Sequence, residues 1–229
     1  MIGHPATYSA PVLDVFEQHI PQNARVLDPF AGTGKIHSLG RRSVGVELEP
    51  EWAQMSGRTI VGTALCLPFR DETFDVIATS PCYGNRMADH HEAKDKCKKC
   101  DGAGAGCKAC KDTGLSMRKT YRHQLQRPLS TGSAAGLQWG VEYRTFHISA
   151  WNEAHRVLRD GGIFLLNVSN HIRKDEEIPV TKWHIEVLRD LLGLHLIAVF
   201  PVKTRRMRVG ANSDKRVEFE TVCKFWKGV

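Results

Sequence analysis

Short apolar runs alternate with helical patterns along most of this 229-residue chain, and this alternation restricts the possible folds more than any other feature. The apolar runs cover residues 25–28, 43–48, 59–61, 74–79, 162–168, 194–202 and 217–226. Helical spacing of apolar residues is found at residues 11–19, 50–57, 143–159 and 181–192. Short runs rich in Val, Ile, Leu and Phe are typical of parallel strands that are buried on both faces. The sequence therefore predicts an α/β fold with a doubly wound sheet, closed by a hairpin of the last two strands.

One stretch, residues 84–140, interrupts this alternation. It has little apolar periodicity, it is rich in Lys, Arg, His and Gly, and it contains four cysteines between Cys97 and Cys110. A structureless loop of this length is improbable inside a compact domain. We therefore predict that residues 1–86 and 141–229 form the α/β domain. Residues 87–140 are predicted to form an inserted recognition module that is stabilised by its own metal site.

The composition and charge narrow the class of protein. Hydrophobic residues make up 41% and charged residues 25%, which is ordinary for a globular protein and excludes a disordered chain. The 32 Lys and Arg residues outnumber the 25 Asp and Glu residues, and the resulting charge of +7 favours a polyanionic partner. Neither a secretory signal nor an apolar run of membrane-spanning length is visible. We expect a cytoplasmic protein with no membrane partner, whose clustered cysteines bind metal instead of forming disulfides.

A glycine-rich turn, Asp28–Gly34 (D-P-F-A-G-T-G), follows the first predicted strand. Glycines there let the backbone approach a ligand closely, and ligands of doubly wound sheets bind at the carboxyl ends of the strands. An acidic residue at the end of the second strand of such folds accepts hydrogen bonds from a ribose diol, and this chain has Glu47 and Glu49 there. A dinucleotide-binding turn or a plain tight turn would also fit this segment when it is taken alone.

A second motif, Ser80-Pro81-Cys82-Tyr83, follows the predicted strand at residues 74–79. Together with the glycine turn, it resembles the motifs of S-adenosylmethionine (SAM)-dependent methyltransferases that act on exocyclic amines of adenine or cytosine in DNA. The similarity is strongest to the small phage and bacterial enzymes. It implies a Rossmann-like class I methyltransferase sheet, SAM as the cofactor, and methyl transfer to adenine N6 or cytosine N4.

The resemblance also assigns roles to individual residues. The implied cofactor-binding residues are His4, Thr7, Asp28, Pro29, Phe30, Gly32, Gly34, Glu47, Thr63 and Ala64. The implied catalytic residues are Ser80, Pro81 and Tyr83. An exocyclic amine is a poor nucleophile, because its lone pair is conjugated into the ring. Ser80 and the Pro81 carbonyl can accept hydrogen bonds from its two hydrogens, while Tyr83 stacks on the flipped base and positions the nitrogen.

The chain departs from the family pattern at two positions. Thr63 stands where the family has an Asp that binds the adenine amino group. Cys82 replaces the second proline, and a Pro-Cys pair also matches the cytosine-C5 methyltransferases, in which the cysteine is a covalent nucleophile. Those enzymes carry a Glu before an Asn-Val pair, and here Leu166 stands in its place. We therefore favour a Cys82 that fills a small buried space.

Two further positions near the second strand carry expectations. Trp52 could cover the adenine ring or belong to the core, and both alternatives stay open. Glu49 is expected to be a neighbouring, solvated charge.

Two C-x2-C pairs lie six residues apart, each leading toward glycines. Four thiolates at this spacing can form a closed tetrahedral site, which suits structural zinc. The pattern C-x-x-C-x-G-x-G is similar to the zinc-binding repeats of DnaJ chaperones over this short segment. We expect one structural Zn²⁺ on Cys97, Cys100, Cys107 and Cys110, with glycines 102, 104 and 106 allowing the tight return between the pairs. A redox dithiol pair or disulfides are the alternatives.

Basic residues surround the cysteine pairs and recur at residues 203–208. Two basic runs that flank a base pocket favour contacts to phosphates. The predicted nucleic-acid contacts are Arg86, Arg118, Lys119, Arg122, Arg205 and Arg206. DNA is the expected partner, in the host cytoplasm if the protein is phage-encoded. The alternatives are an RNA methyltransferase acting on tRNA or rRNA, and a non-catalytic zinc-bearing nucleic-acid-binding protein.

Overall fold

The computed structural model describes residue 4 and residues 7–85, 96–110, 112, 114–115, 121–204, 215 and 217–228. Its strands are β1 (Arg25–Asp28), β2 (Arg42–Glu47), β3 (Thr59–Val61), β4 (Phe74–Thr79), β5 (Leu158–Val168), β6 (His171–Arg173), β7 (Glu176–Ile178), β8 (His195–Lys203) and β9 (Phe219–Trp226). Its α-helices are α1 (Ala10–His19), α2 (Pro50–Ala53), α3 (Tyr121–Leu125), α4 (Val141–Val157) and α5 (Val180–Glu186). Two 3₁₀ helices, Lys35–Leu39 and Ala134–Gly136, and a π-helical turn, Val187–Leu191, complete the elements of these ranges. None of the helices within them is both long and apolar enough to cross a membrane.

Within the described residues, seven strands form one sheet in the order β3-β2-β1-β4-β5-β9-β8. The strands β1 to β5 in this sheet are parallel, and β9 lies antiparallel between β5 and β8. The predicted doubly wound sheet and its closing hairpin are therefore confirmed. The strand order reverses between β1 and β4, so the carboxyl ends of these strands meet where folds of this type bind ligands.

Both faces of the sheet are covered, which explains why its strands are continuous apolar runs. Val26 of β1 packs in one cluster with Val12 and Phe16 of α1. The next residue, Leu27, belongs to a second cluster that contains Trp151 and Ala154 of α4. Because alternate residues of a strand point to opposite faces, one short strand anchors a helix on each side. Each large apolar side chain buried in this way contributes roughly 1.5–3 kcal/mol.

Two helices end earlier than the sequence pattern predicts. Helix α2 ends at Ala53 instead of reaching Gly57, because the following Ser and Gly residues are weak helix formers. Helix α4 ends at Val157, and β5 begins at once, because Leu158 is extended and pairs with Phe74 of β4. The glycine turn after β1 is followed by a 3₁₀ helix instead of an α-helix. These differences concern helix bounds and helix type and leave the order of the predicted strands unchanged, while the short β6–β7 hairpin adds to them.

Candidate functional site

A cavity of about 680 Å³ lies at the carboxyl ends of β1, β2 and β4. Its wall is formed by the turn after β1, the end of β2, the segment after β3 and the S-P-C-Y motif after β4. All of the predicted cofactor and catalytic residues except two line it, namely His4, Thr7, Pro29, Phe30, Gly32, Glu47, Thr63, Ala64, Ser80, Pro81 and Tyr83. The glycine turn and the S-P-C-Y motif therefore open into one cavity, and its volume suits a small-molecule ligand.

Glu47 ends β2 and meets the glycine turn at the cavity wall. Its carboxylate accepts hydrogen bonds from the backbone N–H groups of Gly32 and Glu49, each at 2.9 Å. Burial raises the pKa of Glu47 to about 7, although these two hydrogen bonds oppose the rise. A carboxylate at this strand end is placed to accept hydrogen bonds from the hydroxyls of a ligand.

Because Gly32 has no side chain, the N-terminal segment can pack closely against the glycine turn. The backbone of Gly32 has a φ of 53°, and a Cβ atom there would lie 3.2 Å from Nε2 of His4. The His4 ring packs edge-on against Trp52, with 4.3 Å between the ring centroids. His4 thus lies against both the glycine turn and α2.

The two exceptions, Asp28 and Gly34, lie behind the cavity wall. The carboxylate of Asp28 is fully buried and accepts hydrogen bonds from Tyr8 Oη at 2.7 Å, Thr79 Oγ1 at 2.7 Å and the Phe30 N–H at 3.0 Å. Burial raises the pKa of Asp28 to about 6. These contacts tie the turn to β4 and to the N-terminal segment, so Asp28 holds the turn in place and does not itself line the cavity.

Gly34 is needed for the close packing of the turn. Its φ is 76°, and a Cβ atom would lie 2.6 Å from the ring of His37 and 2.8 Å from Cβ of Ser56. A separation under 3 Å forces one of these groups to move. Gly34 therefore shapes the turn without lining the cavity.

Four polar side chains converge at the β4 end of the cavity. Ser80 Oγ lies 2.8 Å from Tyr83 Oη. Asn167 Nδ2 of β5 lies 3.1 Å from Ser80 Oγ, 3.0 Å from Tyr83 Oη and 2.7 Å from Oε2 of Glu220. Asn167 is almost fully buried, and all four residues line the cavity. Asn167 thus links the S-P-C-Y motif to the carboxylate of Glu220 on β9.

Cys82 is held between aromatic side chains at the same wall. Its Sγ atom lies 3.8 Å from Tyr121 Oη, and its carbonyl oxygen accepts a hydrogen bond from Tyr143 at 2.9 Å. Burial raises the pKa of the Cys82 thiol to about 11. A covalent nucleophile needs a thiolate, so this environment disfavours the cytosine-C5 chemistry. Leu166, which stands in the place of the C5 glutamate, is buried in the core.

Glu49 is buried, which contradicts the expectation of a solvated charge. It is 1% exposed and is bonded by Arg127 Nη2 at 2.7 Å and by the N–H and hydroxyl of Ser130 at 2.9 Å each. Arg127 Nε also binds Glu51 at 2.7 Å. The inserted stretch supplies both partners from about 80 residues away, so no local pattern reveals this contact.

Trp52 belongs to the core and to the cavity wall at the same time. It is 2% exposed and packs with Tyr121, Leu125 and Ala135 of the inserted stretch. It also lines the cavity, and its indole N–H is buried without a hydrogen-bond partner. The C-terminal part of the inserted stretch, from Tyr121 to Ala135, therefore packs on α2 and forms one side of the cavity.

Sequence reasoning missed several residues that line the cavity. They are Tyr121, Ser133, Lys203, Thr204 and Glu220, and also Asn167, which was considered only as part of a C5 pattern. They come from the inserted stretch and from the β5, β8 and β9 strands. Only contacts between distant parts of the chain bring them to the site.

The four cysteines of the inserted stretch form a compact cluster. Their sulfur atoms all lie within 4.8 Å of one another, with Cys97–Cys107 at 4.0 Å and Cys100–Cys110 at 3.7 Å. These distances are too long for disulfides, which need about 2.05 Å. A tetrahedral zinc ion with Zn–S bonds of about 2.3 Å places its sulfurs roughly 3.8 Å apart. The donor set thus fits a zinc ion.

The glycines of this segment adopt the predicted turn conformations. Gly102, Gly104 and Gly106 have φ values of 85°, 79° and 74°. A Cβ atom at Gly104 would lie 2.6 Å from the carbonyl oxygen of Asp112. The Cys97 N–H donates to the Gly114 carbonyl at 2.8 Å and closes the segment.

The predicted nucleic-acid contacts cannot be placed in the same way. Arg86, Arg118, Lys119, Arg205 and Arg206 lie outside the described residues, and so does the side chain of Arg122, whose backbone is part of α3.

Comparison with known proteins identifies the fold. No protein-family model matches the chain, and no curated protein matches its sequence. A SAM-dependent methyltransferase from Methanosarcina mazei has a similar structure, with a TM-score of 0.54, 12% identity and coverage of 94% of this chain and 97% of the other. This is a Rossmann-like methyltransferase fold.

Two further solved structures extend the comparison. A TehB-like SAM-dependent methyltransferase from Corynebacterium glutamicum matches with a TM-score of 0.51, 14% identity and coverage of 97% of this chain and 90% of the other. The 1,6-didemethyltoxoflavin-N1-methyltransferase of Burkholderia thailandensis, with its substrate and S-adenosylhomocysteine bound, matches with a TM-score of 0.52, 16% identity and coverage of 96% and 78%. At these identities the likeness concerns the methyltransferase fold alone.

Proposed function

We propose that this protein is a SAM-dependent methyltransferase that modifies the exocyclic amine of a base in DNA, adenine N6 or cytosine N4. The observation that carries the proposal is the shared cavity, into which the glycine turn, Glu47 and the S-P-C-Y motif all open. A methyl donor and its acceptor must meet in one space, and the reversal of strand order between β1 and β4 provides it.

The cofactor end of the cavity has groups that suit SAM. Glu47 would accept hydrogen bonds from the ribose, and the Gly32 N–H holds its carboxylate at the cavity wall. His4 and Thr7 would cover the methionine end, and Thr63 and Ala64 line the wall beyond β3. SAM supplies an activated methyl group bonded to a positively charged sulfur.

The acceptor end suits a flat base with an amine. Ser80 and the Pro81 carbonyl would accept its hydrogens, and the Tyr83 ring would stack on the base. Because burial raises the pKa of Cys82 to about 11, we favour direct transfer to the amine over a covalent intermediate on Cys82.

We propose in addition that Cys97, Cys100, Cys107 and Cys110 hold one structural Zn²⁺. The support is the closeness of the four sulfurs, together with the positive φ values of the glycines between the two cysteine pairs. A closed set of four thiolates has no open coordination position, so this ion would stabilise the inserted stretch and take no part in methyl transfer. The basic residues around it would then contact nucleic-acid phosphates.

Incubation with methyl-labelled SAM tests the proposal directly. Separate pools of double-stranded DNA, single-stranded DNA, tRNA and rRNA are supplied, and the labelled nucleosides are identified by mass spectrometry. We expect label in N6-methyladenine or N4-methylcytosine of DNA. Label in RNA alone would move the substrate to RNA, label at cytosine C5 would restore Cys82 as the nucleophile, and SAM binding without transfer to any pool would leave a non-catalytic binding protein.

A further inference from the structure

The β4 end of the cavity contains a carboxylate that the S-P-C-Y motif does not supply. Glu220 lies on β9, lines the cavity and bonds to Asn167 Nδ2 at 2.7 Å. Antiparallel pairing of β5 with β9 places Asn167 opposite Val222 and Val168 opposite Thr221, which brings Glu220 to the carboxyl end of β5. Asn167 Nδ2 in turn lies within 3.1 Å of both Ser80 Oγ and Tyr83 Oη, so the Asn167 amide joins the Glu220 carboxylate to the S-P-C-Y motif.

Methyl transfer to an amine leaves a surplus proton on the nitrogen. Ser80 offers a neutral hydroxyl, and the high pKa of Cys82 keeps its thiol protonated, so the motif itself has no anionic group to receive this proton. Among the described residues that line the cavity, the carboxylates are those of Glu47, Glu49 and Glu220. Glu47 lies beside the glycine turn and Glu49 beside Arg127, whereas the bond to Asn167 places Glu220 at the Ser80 end.

Two buried polar atoms at this end indicate that a ligand is accepted here. Asn167 is 1% exposed, and its Oδ1 atom has no hydrogen-bond partner among the described residues. Thr204 follows β8 and lines the cavity, and its buried Oγ1 atom likewise has no partner in this part of the chain. Buried polar groups are normally paired, so both atoms point to a polar ligand that completes their bonds.

We infer that Glu220 is a catalytic residue that takes the proton released from the target amine by methyl transfer. This inference rests on the proposed function. The nitrogen lone pair forms the bond to the methyl carbon, the bond between that carbon and the sulfur breaks, and its electron pair stays on the sulfur. The N–H proton passes to the Glu220 carboxylate and from there to solvent. Asn167 is a positioning residue that holds Glu220 beside Ser80.

Substitution of Glu220 tests the inference in the full-length protein. Glu220→Gln keeps the shape and the bond to Asn167, but it cannot take a proton. Methyl transfer in a single turnover should fall at least ~100-fold, as expected for the loss of a general base. The affinity for SAM, measured by calorimetry, should stay within about twofold, because Glu220 lies at the opposite end from Glu47. Glu220→Asp, which keeps a carboxylate on a shorter side chain, should recover part of the rate.

Glu218→Gln is the matched control. It removes the same charge from an exposed residue that lies two positions earlier and does not line the cavity. Its rate should equal that of the unaltered protein. An unchanged rate in Glu220→Gln would overturn the inference and leave the proposed function intact. Equal losses in Glu220→Gln and Glu218→Gln would also overturn it, since they would indicate a general charge effect. Absence of transfer by the unaltered protein to any nucleic-acid pool would overturn the proposed function and, with it, this inference.

Discussion

Two carboxylates beside the glycine turn, one buried and one half-buried, serve different purposes. Asp28 is enclosed by Tyr8, Thr79 and the backbone of Phe30, so it holds the turn in place. Glu47 is bonded to backbone N–H groups and still lines the cavity. The same side-chain chemistry is therefore structural at the end of β1 and available to a ligand at the end of β2.

Replacement of Glu47 should weaken SAM binding. Glu47→Ala removes a charged acceptor for two ribose hydroxyls, and we expect a loss of roughly 1–3 kcal/mol in binding free energy. Calorimetric titration of SAM checks this value, with Glu17→Ala, an exposed residue of α1, as the control. Equal SAM affinity in the Glu47 variant and in the unaltered protein would rule out the ribose contact.

Ser80 and Cys82 should behave differently although they are two residues apart. Ser80→Ala removes an acceptor of the target amine, so methyl transfer should be abolished while SAM affinity is kept. Cys82→Ala removes a thiol that burial keeps protonated, so activity should be retained. Transfer assays on DNA test both variants. Loss of activity in a folded Cys82→Ala protein, together with a trapped adduct on 5-fluorocytosine DNA, would favour C5 chemistry.

Among the elements, the inserted stretch divides into two parts with different attachments. The cysteine cluster is closed on itself through the bond between Cys97 and Gly114. The part from Tyr121 onward packs on Trp52 and is fixed to α2 through the bonds of Arg127 to Glu49 and Glu51. Among the described residues between 96 and 140, those that line the cavity belong to the second part. The insertion therefore belongs in part to the site.

Zinc removal should act on nucleic-acid binding more than on SAM binding. The Cys100→Ser/Cys107→Ser variant should lose its zinc and bind DNA at least ~10-fold more weakly, because the basic segment loses its support, while SAM affinity stays close to normal. Arg127→Met should show the reverse, with weaker SAM binding and zinc retained. Elemental analysis and titrations with DNA and SAM measure these effects. Absence of zinc from protein purified without chelator, or equal loss of both ligands in the cysteine variant, would contradict this division.

For the whole molecule, the order of the strands of the large sheet along the chain could be predicted from the sequence. The glycine turn and the S-P-C-Y motif could also be located there. Both are local patterns, and apolar runs covered on two faces leave few alternative folds. The contact of Arg127 with Glu49 spans 78 positions, and that of Asn167 with Glu220 spans 53. Such pairs depend on how distant elements pack, and no periodicity or spacing in the sequence indicates them. For the same reason, the prediction of a separate module at residues 87–140 did not include the packing of Tyr121 on Trp52.

The stability of the SAM-free protein should fall as the pH rises from about 4.5 to about 7. Burial raises the pKa of Glu47 from 4.5 to about 7, so in this range the folded state binds more protons than the unfolded state. Stabilisation is complete below the ordinary pKa and is lost through the raised one, by roughly 3 kcal/mol in total. Urea unfolding of the unaltered protein and Glu47→Gln at pH 4.5 and pH 7.5 measures it. The variant should show a smaller decline, and identical pH dependence of the two would contradict the prediction.

The position of β9 between β5 and β8 has a consequence for biosynthesis. Residues from His4 to Glu220 line the same cavity, and the strand that carries Glu220 pairs with β5 inside the sheet instead of adding to its edge. On the ribosome, β1 to β5 emerge first and can form their parallel pairs. The acceptor end of the cavity is assembled only when β9 enters beside β5. A nascent chain that stops before residue 219 would therefore carry the glycine turn and the S-P-C-Y motif, yet it would lack the carboxylate proposed to complete the reaction.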